Sequence, residues 1–154
     1  MENSRPWITR LQLILSVAGI GIAGYLTYVK LFAIAPYCAG VGNCEAVQTS
    51  VYAELLGVPV AIWGLLTYIV LLGLVLVKRS DWRDLGRPAG MAVFFVTLIG
   101  VIFSAYLTYL EIAVIHAICP WCVASAVVMT ALFIVSVVEM FFTGDADQAE
   151  LEAA

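Results

Sequence analysis

At 154 residues, 64% of them hydrophobic and only 12% charged, the chain carries more apolar side chain than one soluble domain of its size can hide. A mean hydropathy of +1.05 puts it in the class of integral membrane proteins. The net charge of −4 specifies no partner, and no basic cluster suits nucleic acid.

The first charge-free run covers residues 11–29, and the span it implies reaches about 31. It is longer than a signal-peptide core, and Lys30-Leu31-Phe32 is no small-residue cleavage site, so it reads as a retained span. Gly19-x-Gly21-x-x-Gly24 spells a dinucleotide fingerprint, but no strand precedes it. Small residues in such a helix serve close packing instead.

A loop follows with Cys38, Gly40, Gly42 and Cys44, the glycines permitting movement. Over residues 45–56, Val47, Val51 and Leu55 recur at every fourth position, while Gln48, Thr49, Ser50 and Glu54 fall on other faces. That pattern predicts a short amphipathic helix lying on the membrane or over the bundle mouth. Gly57-Val58-Pro59 then turns the chain into a second span, about 58–77.

The third span is expected at about 88–111 and the fourth at about 119–141. Each can cross a hydrocarbon core of ~30 Å as a helix of about 20 residues, and there the backbone must satisfy its own hydrogen bonds. The expected fold class is therefore an all-α integral membrane protein. It is a four-transmembrane-helix bundle with a short amphipathic helix in its first outer loop, one domain over residues 1–143. Residues 144–154, with Asp145, Asp147, Glu150 and Glu152, read as an acidic tail without regular structure. Glu139, near the end of the fourth span, is expected to reach water.

Arg5 and Arg10 precede the first span, and Lys78, Arg79, Arg83 and Arg87 fill the middle loop. The first loop has only Lys30 and the third has no basic residue. Positive charge thus places both termini and the middle loop in the cytoplasm, and all four cysteines outside. That is the compartment where disulfides form and persist. Tyr25-Leu26-Thr27-Tyr28 recurs as Tyr106-Leu107-Thr108-Tyr109, each ending ten residues before a cysteine. Two related hairpins or chance among interfacial tyrosines both explain the echo.

Cys119-Pro120-Trp121-Cys122 falls where the fourth helix should begin. Cys119 near the N-cap and Pro120 at the first helical position fit a helix start. The helix dipole there favours a thiolate and speeds thiol exchange. A zinc knuckle or a static pair of bridges is the competing reading, but four reduced thiols are hard to maintain outside the cytoplasm. Exchange proceeds through a mixed disulfide, so a mobile loop dithiol can serve a second, buried one. No haem or iron–sulfur pattern is present, which leaves a membrane-soluble quinone as the natural two-electron partner. Trp63 and Trp121 are candidates to line its pocket. His116 and Glu111 read as an interfacial residue and a helix-end charge, with proton transfer as the alternative for each.

These features together resemble the vitamin K epoxide reductase family, closest to its prokaryotic members. The resemblance covers most of residues 25–125. It rests on the loop cysteine pair, Ser50 six residues after Cys44, Gly57-x-Pro59, Gly64 and Tyr68 in the second span, and Cys-Pro-Trp-Cys opening the fourth. The other quinone-linked family of disulfide-forming membrane proteins carries its Cys-x-x-Cys in the first outer loop instead.

The resemblance implies a quinone pocket inside the bundle, with the loop helix as a lid and a quinone of the menaquinone, ubiquinone or phylloquinone class as cofactor. Cys122 would face the quinone and Cys119 would be its exchange partner. Cys44 would form a transient bridge with Cys119, and Cys38 would meet an outside redox protein. Ser50, Trp63, Gly64, Tyr68, Trp121 and Ala126 would join Cys122 around the cofactor. The function implied is a quinone-linked thiol–disulfide oxidoreductase in a bacterial or archaeal cytoplasmic membrane, supporting disulfide formation with a separate thioredoxin-fold partner. Vitamin K quinone or epoxide reduction, and a non-enzymatic protein stapled by two disulfides, are the alternatives. Animal members carry a tyrosine at the position of Ala126 and an asparagine at that of Val60, which makes epoxide chemistry the less expected of the two reactions.

Overall fold

The computed structural model describes residues 6–38, 40, 42–80 and 86–153. Four long helices dominate: α1 (Pro6–Leu31), α3 (Val60–Arg79), α4 (Gly86–Leu110) and α5 (Pro120–Ala153). Between α1 and α3 lie a short helix α2 (Cys44–Gln48), a 3₁₀ turn (Val51–Ala53) and a two-stranded ribbon of β1 (Glu54–Leu55) and β2 (Val58–Pro59). All four long helices carry stretches long and apolar enough to cross a membrane, and the chain is a multi-pass membrane protein.

The helices pack in a ring in which α1 and α4 each touch α3 and α5, leaving α1 and α4 on the diagonal. Between helices in lipid the hydrophobic effect offers little, so close packing and internal hydrogen bonds hold the bundle. Its centre is Ala23, Tyr68, Leu71, Val75, Val93, Met129 and Leu132. Gly19 lets α1 lie against the Tyr68 ring, which a side chain at that position would strike. The Tyr68 hydroxyl donates to the Ser125 carbonyl at 2.8 Å, tying α3 to α5. Hydroxyls of Thr27, Thr67, Thr97 and Thr130 return to carbonyls four residues back, so they bring no unpaired polar group into the apolar region. The outward faces present side chains such as Ile14, Ile99 and Val127, as lipid contact requires.

The loop departs from the expected single amphipathic helix over residues 45–56. Helix α2 stops at Gln48 because the Thr49 and Ser50 hydroxyls bond back to the carbonyls of Glu45 and Val47, which ends the ladder. The chain then makes a tight hairpin whose two turn residues, Leu56 and Gly57, both have positive φ (56° and 78°). Val47 is buried while Val51 and Leu55 are exposed, so the expected stripe is not one face.

Two further expectations give way at the other end of the chain. Helix α5 continues to Ala153, through the tail expected to lack regular structure. Gln148, Ala149, Glu150, Leu151 and Glu152 favour helix, and extending an existing helix avoids the nucleation cost. Glu139 does not reach water but is buried. It accepts from Gln12 Nε2 at 3.0 Å and pairs with Lys78, whose ammonium also donates to Gln12 Oε1 at 2.9 Å. Three helices thus share one satisfied polar cluster at the end of the bundle away from the cysteines.

Candidate active site

The four cysteines gather at one end of the bundle. Helix α5 starts at Pro120, so Cys119 takes the N-cap position, and its carbonyl receives the first helical bond from Val123 at 3.0 Å. Cys44 is instead the first helical residue of α2, behind the N-cap Asn43, whose side chain accepts from the Ala46 N–H at 3.1 Å. Cys38 and Cys44 are joined as a disulfide, whereas Cys119 and Cys122 are free thiols.

Cys44 and Cys119 are both buried and pack in one cluster with Val47, against which Cys38, Trp121 and Cys122 also lie. Two contacts clamp the loop there. The Asn43 N–H donates to the Ile118 carbonyl at 3.0 Å, and Gly42, at φ 80°, passes so close to that carbonyl that no side chain fits. Nearby, the Trp121 indole donates to the Tyr37 carbonyl at 2.9 Å, and the Tyr37 N–H donates to the Tyr25 hydroxyl at 3.0 Å.

The Cys119 thiol is lowered from its ordinary range. The hydrogen bond with the Cys122 side chain is the largest cause. Burial opposes it, and the backbone N–H groups of Cys122 and Trp121 add to the lowering. Cys119 is thus the member of the pair held towards the thiolate, the nucleophilic form in exchange.

Below the cysteines lies a cavity of about 170 Å³. Cys122 lines it, with Ser50, Trp63, Gly64, Tyr68 and Ala126. Trp121 does not line it. One residue before Cys122, it falls about 100° around the helix, on the rim, where its ring meets Tyr25 at 4.8 Å between centroids. Cys38, Cys44 and Cys119 are also outside the cavity wall, above it. The loop roofs the space through Val47, Gln48, Tyr52 and Ala53. Lys30 holds that roof to α1 by donating to the Gln48 carbonyl at 2.7 Å and pairing with Glu54 at 3.5 Å.

The walls are mainly apolar, with hydroxyls from Thr67, Ser104, Thr108 and Ser125. Val60 and Ala126 both lie on the wall, so these two positions present apolar surface to the cavity. His116 is exposed, with Nδ1 3.2 Å from the Val114 carbonyl, and lies outside the cavity. Glu111, read from the sequence as a helix-end charge, is instead buried on the cavity wall and accepts the Cys119 N–H at 3.1 Å. The signal for it was a lone acid inside an apolar run, eight residues before Cys119, since a buried charge in a membrane segment usually serves the site.

Residues 10–137 match the model of the vitamin K epoxide reductase family. Over 122 residues the chain is 31% identical to the thiol-disulfide oxidoreductase LTO1 of Arabidopsis thaliana, an alignment covering 73% of this chain and 31% of the relative. The chain therefore spans about a third of that relative's length.

Proposed function

The chain belongs to the vitamin K epoxide reductase family, and from that premise we propose that it is a quinone-linked thiol–disulfide oxidoreductase of the membrane. The observation that carries this reading is the order of the sulfurs. The Cys38–Cys44 bridge packs on Cys119, and Cys122 lies almost one helical turn beyond it, on the cavity wall. That order suits a relay from outside the membrane to its interior. Lys78 and Arg79 end α3 at the opposite end, which supports placing the cysteines on the extracytoplasmic side.

The cavity fits a quinone ring. Its volume of about 170 Å³ is comparable with cavities of roughly 150 Å³ that admit one aromatic ring. Gly64 leaves the wall open, since a methyl there would touch only Ala23, at 4.0 Å. Trp63, Gly64, Tyr68, Ala126 and Ser50 would hold the ring beside Cys122; Trp121, on the rim, would steady the loop instead. When bound, a quinone supplies an acceptor for two electrons and two protons.

The chain's own steps follow from thiol exchange. A reduced thioredoxin-fold protein attacks the Cys38–Cys44 bridge at Cys38, which has no place in the fully buried set, and leaves as a disulfide. The freed Cys44 thiolate attacks Cys119 of the oxidised Cys119–Cys122 pair, and Cys122 departs as a thiolate. Cys38 then displaces Cys119 from Cys44, which restores the loop bridge and leaves the second pair reduced beside the cavity. The α5 N-terminus and the neighbouring N–H groups stabilise the negative sulfur at Cys119 throughout.

Purified protein given reduced thioredoxin-fold partner and a short-tailed quinone should reduce the quinone. A Cys38→Ser/Cys122→Ser variant should accumulate a Cys44–Cys119 bridge visible by mass spectrometry. Full activity after replacement of all four cysteines would end the proposal. A protein merely stapled by two bridges would instead hold both pairs oxidised and resist reduction, with potentials below roughly −300 mV.

A further inference from the structure

Glu111 is 4% exposed and stands on the wall of the cavity that Cys122 also lines. The backbone around it is unusual. After Leu110 the helix widens into a single π-helical turn, Glu111–Ile115, and stops at His116 in the left-handed region, φ 54°. The N–H groups of His116 and Ala117 both return to the Glu111 carbonyl, the latter at 3.0 Å. Widened turns of this kind cluster at functional sites, as do non-glycine residues with positive φ. Here the turn folds the following segment over Glu111 and sets its carboxyl against the start of α5. Oε2 accepts the Cys119 N–H at 3.1 Å, and Cys122 lines the same cavity as the carboxyl. Among the described residues no lysine or arginine forms an ion pair with it. A serine or asparagine could cap the helix without burying a charge, so capping alone does not explain a carboxyl here.

We infer that Glu111 is the proton carrier of the Cys119–Cys122 pair, taking the thiol proton of Cys122 and releasing it into the cavity that both side chains line. The inference rests on the redox reading above. With Cys119 present as thiolate, closing the pair forms one S–S bond and breaks one S–H bond, that of Cys122. Two electrons leave the sulfurs for the quinone-class acceptor. The Cys122 proton leaves through Glu111, and a second proton, equivalent to the one Cys119 had already lost, enters from water. Two electrons and two protons are thereby delivered, and charge balances. Glu111 stands beside the reacting pair, held by the Cys119 backbone N–H.

The test begins without quinone. The full-length Cys38→Ser/Cys44→Ser chain in lipid nanodiscs keeps only the Cys119–Cys122 pair, which is cycled with dithiothreitol and ferricyanide while infrared difference spectra are recorded. A carboxyl C=O band that changes with the redox state, shifts in Glu111→Asp and vanishes in Glu111→Gln is expected. In the four-cysteine chain, with dithiothreitol as donor and a short-tailed benzoquinone as acceptor, Glu111→Gln should lower kcat by about a hundredfold or more and leave KM within about twofold. Glu111→Asp should recover part of the loss. No redox-dependent carboxyl band in the parent, a band that survives in Glu111→Gln, or full kcat in that variant overturns the inference. A clear band in a protein that never reduces quinone supports the proton role of Glu111 and overturns the quinone reading instead, so the two failures are distinguishable.

Discussion

Each end of the bundle buries a carboxyl group, and the two ends solve the problem differently. Glu139 is matched by the ammonium of Lys78, with Gln12 bridging both. Charge, donors and acceptors are balanced there, and protonation of Glu139 would weaken its contacts to Lys78 and Gln12 together. Glu111 is met by the Cys119 backbone N–H, with no cation paired to it among the described residues. The first arrangement locks helices together. The second leaves a group whose protonation can follow that of its neighbours. Position in a membrane helix does not by itself separate structural from chemical acids, whereas the partners do.

The contrast can be broken most sharply at the sulfurs. Cys122→Ser should reduce quinone turnover to background, read as quinone absorbance loss, while the chain still folds and keeps its Cys38–Cys44 bridge. At the opposite end, Lys78→Met should destabilise the fold by about 3–5 kcal/mol, because it leaves the Glu139 carboxylate buried without its cation. Thermal unfolding in detergent would show this, and Lys78→Met/Glu139→Met should recover most of the loss. If Lys78→Met changed the potential of the Cys119–Cys122 pair as well, the two ends would not be independent. Gly19→Ala, which presses a methyl into the Tyr68 ring midway between them, should cost about 1–3 kcal/mol in the same assay. Trp121→Phe removes one indole hydrogen bond to Tyr37 and should cost about 0.5–1.5 kcal/mol, with little change in KM for quinone because the ring lies off the cavity.

The smallest effect is one of pH. Cys119 is lowered in the folded, reduced chain relative to an unfolded thiol near ~8.5. Its contribution to stability is therefore fully present above the unfolded value and is lost as the pH falls through the folded one. Alkylation of Cys119 followed against pH should show its midpoint below that of a free cysteine. A midpoint at or above the free value would remove the preference for Cys119 as the nucleophile.

The long helices were legible because an uninterrupted apolar run of this length admits only a membrane helix, and Cys119-Pro120 marked the start of α5 to the residue. The loop was harder. The spacing of Val47, Val51 and Leu55 matched a helical stripe, but the hydroxyls of Thr49 and Ser50 compete with the helix ladder, and that competition depends on geometry the periodicity does not carry. Five of the six non-cysteine residues picked as cofactor contacts line the cavity; Trp121 does not, because a single helical step turns it toward Tyr25. The burial of Glu111 and Glu139 was not read from the sequence. Gln12 lies 127 residues from Glu139, and local pattern says nothing about such a neighbour, whereas Glu111 is met by the Cys119 N–H only eight residues on, once the chain has turned back over it.

The Asn43–Ile118 hydrogen bond has a kinetic consequence. It tethers the loop dithiol to the segment that leads into Cys119. In a relay built this way, passage between the two pairs is first order and indifferent to dilution, because the reactants share one chain at high effective concentration. Only the meeting with the outside protein is second order. Crowding more copies into a membrane would multiply encounters with that partner, while the time each copy needs to hand its electrons inward would stay the same.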